Sequence, residues 1–165
     1  MPKRQVFFSF HFENDNWRAG QVRNIGVVKE DTKFHDNDWE SVRSKSDPEI
    51  KKWIDSQLEY RSCIVVLIGS ETSNREWVSY EIKRAYQLEK GIVGIYVHNL
   101  KDSNGKQSSK GRNPFDNFTF PNGVKLSKYV TSYDPPFSLS EKVYQDIENN
   151  IEKLIEDSMS KKGTF

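Results

Sequence analysis

The sequence predicts an α/β fold: a doubly wound, mostly parallel sheet flanked by helices in a three-layer sandwich of the flavodoxin-like kind. Three short apolar runs rich in Val, Ile and Phe are typical of buried central strands. Segments with helical spacing of apolar residues lie between them, so strand and helix alternate along the chain. The 165 residues suffice for one well-buried core, and we expect a single domain over 1–165.

The first half of the chain contains two predicted strands, a weaker third one and two helices. The strands cover 5–10 and 63–69, and the weaker strand lies near 33–35. A helix is predicted over 17–24. A second follows Ser46, where Asp47 could cap the helix and Pro48 suits its first position. Its apolar residues repeat at helical spacing: Ile50, Trp53, Ile54, Gln57 and Leu58.

The stretch 73–91 predicts a helix with an unexpected acid on its inner side. Ser73 and Glu76 have the spacing of a capping box, and Gly91 is a natural C-terminal stop. Glu81 falls near the middle of the apolar arc formed by Trp77, Val78, Ile82, Ala85 and Leu88. A carboxylate there must be paired, neutralised or open to a cleft where a ligand reaches it. The helix pattern alone leaves these structural and functional interpretations open.

The last third of the chain is predicted to contain one strand, an irregular insert and a closing helix. The strand covers 92–97. The insert, at about 100–128, has many turn residues but also Phe115, Phe118 and Phe120, which favour an ordered segment. At the start of the closing helix, at about 140–159, Ser138 and Glu141 have capping-box spacing. Its inward stripe comprises Val143, Tyr144, Ile147, Ile151, Leu154 and Ile155.

The composition of the chain indicates which partners and which cellular compartment to expect. Lys plus Arg total 25 against 24 Asp plus Glu, so no global charge draws the chain to nucleic acid or to an anionic membrane. The single cysteine, Cys63, allows no intramolecular disulfide. No apolar run is long enough for a signal-peptide core or a membrane span. We therefore expect a cytoplasmic protein without nucleic-acid or membrane partners.

Polar residues follow each predicted strand, where ligands bind in open α/β sheets. All three histidines, His11, His35 and His98, lie at these positions. They have neither metal-ligand spacing nor an obvious carboxylate partner, so no metal site is predicted. No glycine-rich phosphate loop follows a strand. The capped start of the 73–91 helix opens from the same edge, which would place Glu81 near the floor of a cleft.

Several separated motifs resemble one family. "RQVFFSFHFENDNWRAGQVRN" resembles the opening of TIR-like domains, and "VVLIGSETSNREWVSYEIKRA" resembles their third strand with the helix that carries a W-x-x-x-E pattern. "GIYVHNLKD" and "SKGRNPFDN" are similar to a later segment of one branch, the ThsB proteins of the bacterial Thoeris antiphage system. The resemblance covers about residues 4–117.

The resemblance implies an enzyme that cleaves the nicotinamide–ribose bond of NAD, with NAD as substrate and no cofactor. It places the catalytic position at Glu81 and implies a nucleotide product that a separate effector protein senses. A phage-derived trigger and a homo-oligomer are also suggested. In addition to Glu81, the candidate substrate-binding residues are Phe8, Ser9, Phe10, His11 and Trp77. Phe8 and Phe10 could equally be core residues, and packing is the favoured role of Trp77.

Two alternatives to the NAD-cleaving enzyme remain open at this point. One is a non-catalytic TIR-like interaction module in which Glu81 is structural. The other is nucleoside deoxyribosyl transfer, which uses a similar glutamate on a related sheet. The inward-facing glutamate favours the enzyme, because an adaptor has no need for an unpaired carboxylate in its core.

Overall fold

A computed structural model describes residues 5–25 and 44–165 of the chain. The strands are β1 (Val6–Ser9), β2 (Cys63–Ile68), β3 (Gly91–Tyr96) and β4 (Ser132–Tyr133), and the helices are α1 (Phe12–Arg23), α2 (Asp47–Glu59), α3 (Glu76–Gln87) and α4 (Ser140–Lys161). Three short 3₁₀ turns cover Thr72–Asn74, Pro114–Asn117 and Leu126–Lys128. The weak strand predicted near 33–35 lies outside the described residues.

The described strands form one parallel sheet in the order β1-β2-β3-β4. Val6 pairs with Cys63, Cys63 pairs with Gly91, and Gly94 pairs with Ser132. The three predicted strands are confirmed, with ends that differ by one or two residues. Strand β4 was not predicted, because two residues carry too little pattern to be recognised.

Helices cover both faces of the sheet, which confirms the predicted three-layer sandwich. Helices α1 and α4 pack on one face, where Ala19 and Ile151 belong to the same buried cluster as Val65 of β2. Helices α2 and α3 pack on the other face, where Ile54 and Ile82 belong to the same buried cluster as Val66 of β2. Every residue of β2 is therefore buried, which explains its continuous apolar run. In the described ranges, each helix is too short or too polar to span a bilayer.

The predicted limits of α3 are wrong at both ends. Residue Arg75 precedes its first turn, while Ser73 lies in a 3₁₀ turn and caps nothing. At the other end Glu89, not Gly91, takes the left-handed conformation, with φ of 54°. The N–H groups of Glu89 and Lys90 donate to the carbonyls of Tyr86 and Ala85, which is the Schellman pattern. Gly91 instead begins β3.

Two other predicted helix starts and one capping box are also corrected, while the closing helix begins at residue 140 as predicted. Helix α1 begins at Phe12 rather than near residue 17. Ser46, not Asp47, precedes α2, and its hydroxyl donates to Glu49 Oε1 at 3.0 Å. The capping box at Ser138 is absent, since α4 begins two residues later. There the Ser140 hydroxyl accepts the Lys101 N–H at 3.0 Å, so a serine near this helix start serves a tertiary contact.

Residues 100–113, here called the arm, run along the edge of the sheet where the strands end. The buried Arg18 of α1 donates from Nε to the Leu100 carbonyl at 2.7 Å and from Nη2 to the Lys106 carbonyl at 2.9 Å. A Cβ added at Gly111 would lie 2.2 Å from the Gly69 carbonyl oxygen, directly after β2. The arm therefore contacts the sheet edge closely enough to require glycine.

Replacing Gly111 by alanine is expected to lower the free energy of unfolding by about 1–3 kcal/mol, because backbone atoms must move to admit the methyl group. Urea unfolding would measure the change. Gly20→Ala is the matched control. No atom lies within 4 Å of a Cβ at this position inside α1, so that change should stabilise by roughly 0.5–1 kcal/mol. Equal effects of the two changes would contradict the close approach of the arm.

Candidate active site

The buried acid Glu81 lies beside the end of β1. Helix α3 runs back along the sheet from the edge where the strands end, and Glu81 is in its second turn. Its side chain faces Ser9, the last residue of β1. Glu81 is 5% exposed, and no cation of the described residues forms an ion pair with it. The buried carboxyl group predicted from the helix pattern is therefore found at the sheet edge that open α/β folds use for ligands.

Burial controls the protonation of this acid. Loss of water raises the pKa of Glu81 well above the ordinary value of 4.5, because the charged form is poorly solvated there. The Ser9 hydroxyl opposes this shift more weakly. The hydroxyl does not reach hydrogen-bond geometry, since Ser9 Oγ has no partner among the described residues. A cationic ligand in this place would favour the ionised carboxylate.

The turn from β1 into α1 adds two more buried polar groups. His11 is 5% exposed, and neither imidazole nitrogen has a hydrogen-bond partner in the described part of the chain. Asp15 is 1% exposed and pairs through Oδ1 with Arg18 Nη1 at 2.9 Å. Its Oδ2 has no hydrogen-bond partner among residues 5–25 and 44–165. A Cβ added at Gly69 would lie only 2.1 Å from Oδ2, so the Asp15 carboxylate packs closely against this glycine.

The predicted aromatic residues are distributed over both faces. Phe8 and Phe10 pack against the core under α1 and α4, so the sheet separates the Phe8 ring from Glu81. The Phe10 ring stacks on Phe12, with 6.4 Å between centroids. Trp77 packs on the face of α2 and α3 and meets the Tyr80 ring edge-on at 5.9 Å. Substrate contacts of Phe8, Phe10 and Trp77 stay predictions. Ser9 and His11 lie on the side of Glu81 and Arg75.

A second polar group lies farther along the same edge, after β3. The Lys110 ammonium sits 4.6 Å from the centre of the Tyr96 ring and pairs with Asp134 at 2.8 Å. His98 meets Tyr96 edge-on at 5.9 Å between centroids. Burial lowers the pKa of His98, so its imidazole is neutral at pH 7. Within the part of the chain that the structure describes, no three His, Cys, Asp or Glu side chains come together as a potential metal site.

Sequence reasoning missed Asp15, Arg18 and the two close-packed glycines of this edge. Asp15 and Arg18 are three residues apart on a helix, a spacing that is usually a solvated pair. Their burial depends on the arm, whose contacts with Arg18 span 82 and 88 residues of sequence. Gly69 was predicted only as the end of a strand and Gly111 only as part of the irregular insert. No local signal marks either position as closely packed.

The glutamine variant of Glu81 is expected to be more stable than the unchanged chain at neutral pH, by about 1–3 kcal/mol. The raised pKa means that the folded state holds its proton more tightly than the unfolded state. The unchanged chain therefore loses stability as pH rises from 4.5 through the folded pKa. As pH rises from 4 to 8, the melting temperature of Glu81→Gln should increasingly exceed that of the unchanged chain. Glu76→Gln, at an exposed position of the same helix, is the control for loss of a carboxyl group. A stability difference for Glu81→Gln that does not change with pH would contradict the burial effect.

The family of the chain follows from comparison with known proteins. The family model of the Thoeris protein ThsB, TIR-like domain, matches residues 7–102, more than half of the chain. The chain belongs to the ThsB TIR-like domain family. The match includes Ser9, His11 and Glu81, so the polar groups of the candidate site lie within the ThsB-type region.

One curated relative supports this assignment. A Bacillus cereus (strain MSX-D12) protein named "Putative cyclic ADP-D-ribose synthase ThsB1" is 41% identical over 121 residues. The alignment covers 70% of this chain and 62% of that protein. The ThsB-type domain described here therefore spans less than two thirds of its curated relative.

Proposed function

We propose that this chain cleaves the nicotinamide–ribose bond of NAD and converts the ADP-ribose half into a cyclic ADP-ribose isomer or a related signal nucleotide. A separate effector protein would sense that product in antiphage defence. The observation that carries the proposal is the buried Glu81, without an ion-pair partner among the described residues, at the carboxyl edge of the sheet. Membership of the ThsB family and the name of the B. cereus relative support the same activity.

The chemistry requires a carboxylate at this kind of position. Breaking the N-glycosidic bond builds positive charge on the ribose, and a fixed carboxylate stabilises that charge or attacks the carbon directly, as in glycoside hydrolysis. The interaction is stronger in a site with little water, because the effective dielectric constant is lower. Glu81 is 95% buried, which meets this condition.

The raised pKa of Glu81 fits a cationic substrate. The nicotinamide ring of NAD carries a positive charge before cleavage and leaves as a neutral molecule. Binding that ring beside Glu81 would draw the carboxyl group into its ionised form. Once nicotinamide leaves, the positive charge on the ribose takes over the same role. Nicotinamide needs no strong general acid to depart, so Glu81 can act without a second carboxyl group beside it.

Nucleotide profiling of bacteria that express the chain tests the proposal. Cells with and without phage challenge would be lysed and the lysates filtered. Mass spectrometry of these extracts would measure NAD, nicotinamide and ADP-ribose derivatives. Loss of NAD with a new ADP-ribose isomer or conjugate is the expected result. The same extracts incubated with deoxynucleosides would reveal deoxyribosyl transfer. Unchanged nucleotides across a panel of phages, with folded protein present, would favour the interaction module.

A further inference from the structure

Unsatisfied polar atoms are concentrated in the turn between β1 and α1. In the described part of the chain five buried side-chain atoms lack a hydrogen-bond partner, and four of them belong to Ser9, His11 and Asp15. An unpaired buried donor or acceptor costs about 1–3 kcal/mol, so native proteins seldom retain several together without a reason. A ligand with hydroxyl groups would satisfy those of Ser9 and His11, whereas Asp15 Oδ2 is packed against Gly69. The turn therefore has the properties of a ligand-binding wall.

Ser9 and Arg75 connect the positions of His11 and Glu81, because Ser9 faces Glu81 and Arg75 lies near His11. His11 follows Ser9 by two residues with extended backbone, φ −75° and ψ 102°, so the two side chains point to the same side. The imidazole is close enough to the Arg75 guanidinium for an electrostatic effect. Arg75 precedes Glu81 by six residues, which is about 9 Å along a helix. A nucleotide that bends back on itself can thus touch Glu81 at one end and His11 at the other.

Burial, more than the charges around it, lowers the pKa of His11 and leaves its imidazole neutral at pH 7. Burial and Arg75 lower its pKa below the ordinary 6.5, while Asp15, Glu13 and Glu71 oppose the shift. These are the charged groups of α1, of the loop after β2 and of the start of α3 that act on it within the described residues. A neutral imidazole has one nitrogen with a free lone pair, which accepts a proton. His11 therefore has the protonation state of a base.

We propose that His11 is the base for ring closure, taking the proton of the hydroxyl that attacks the ribose carbon after nicotinamide has left. This inference rests on the proposed function. The hydroxyl oxygen of the adenosine half forms the new C–O bond with its own electron pair, and its proton moves to an imidazole nitrogen. The imidazolium then releases the proton to solvent, and the adjacent Asp15 carboxylate stabilises the charged stage. The sum is NAD⁺ giving nicotinamide, cyclic ADP-ribose and one proton.

Replacement of His11 by glutamine separates proton transfer from binding. Glutamine is similar in size and can accept a hydrogen bond, but it cannot take up a proton at neutral pH. In extracts of phage-challenged cells, His11→Gln should release nicotinamide within about threefold of the unchanged chain. The ratio of cyclic to linear ADP-ribose should fall by about 10²-fold, the lower range for general base catalysis.

Two further measurements keep the test independent of one variant. The cyclic-to-linear ratio of the unchanged chain should fall as pH drops through the His11 pKa, below 6.5. Asp15→Asn should move that fall to lower pH, since the Asp15 charge raises the pKa of His11. His98→Gln is the matched control. It removes another histidine that is 7% exposed and has an unpartnered nitrogen in the described region, and it should leave the ratio unchanged.

The outcomes distinguish the two proposals. Nicotinamide release without any cyclic product, a normal ratio in His11→Gln, or an equal loss of ratio in His98→Gln would each overturn the role of His11. A ratio that does not change with pH would do the same. Absence of nicotinamide release by the unchanged chain would refute the proposed function itself.

Discussion

Glu81→Gln should abolish NAD cleavage, with a loss of at least about 10³-fold in nicotinamide release. Glutamine keeps the shape of the side chain but removes the negative charge that would face the ribose as the glycosidic bond breaks. A single preorganised group of this kind typically contributes 10²–10³-fold, and a carboxylate that also forms a covalent bond contributes more. The amount of nicotinamide and of each ADP-ribose product, measured in extracts of phage-challenged cells, gives the rate directly.

Glu76→Gln is the control for that experiment. It makes the same chemical change at an exposed position on the same helix, so NAD cleavage should stay within about twofold. Melting curves of both variants show whether the chain is folded. A folded Glu81→Gln protein that cleaves NAD at the unchanged rate would exclude Glu81 as the catalytic carboxylate and return the residue to a structural role.

Arg18→Met should destabilise the fold by about 3–5 kcal/mol, the usual effect of removing one partner of a buried ion pair. The methionine fills similar space, but it leaves the carboxylate of Asp15 without its cation. The carbonyl groups of Leu100 and Lys106 also lose their donor. Urea unfolding would measure the loss. Adding Asp15→Asn should recover part of it, because the two side chains form one coupled unit.

Arg84→Met is the matched control for Arg18. Arg84 Nε pairs with Asp55 at the same 2.8–2.9 Å separation as the buried pair, but its side chain is 28% exposed and that of Asp55 is 39% exposed. Surface pairs contribute about 0–1 kcal/mol. If both arginine changes had similar effects, the burial of Arg18 and its contacts with the arm would not be the source of stability.

The parts of the fold that could be predicted from sequence are those with local causes. Strand β2 is buried on both faces, and therefore its apolar run is continuous and easy to recognise. Glu81 was found for the complementary reason, since one acid interrupts a strong amphipathic pattern on α3. Both signals are contained in fewer than fifteen neighbouring residues.

The failed predictions concern groups whose partners are distant in sequence. Ser73 has the spacing of a capping residue, yet its carbonyl accepts Asn117 Nδ2 at 2.8 Å and its turn packs under the insert. Gly91 has the appearance of a helix stop, but a Cβ there would lie 2.7 Å from Ser158 Oγ of α4. In both cases a tertiary contact determines the residue, and local pattern gives no sign of it.

The contacts of Arg18 also bear on the order in which the newly made chain assembles. The described strands follow one another across the sheet in chain order, so each strand that leaves the ribosome can pair with the one made just before it. Ser9, His11 and Glu81 are present early, whereas the carbonyl groups that receive Arg18 arrive 82 and 88 residues after it. The arm can therefore dock only after the segments that carry Ser9, His11 and Glu81 have been made. A nascent chain that ends before residue 113 lacks that part of the edge, so this edge of the sheet is complete only once the arm has been made.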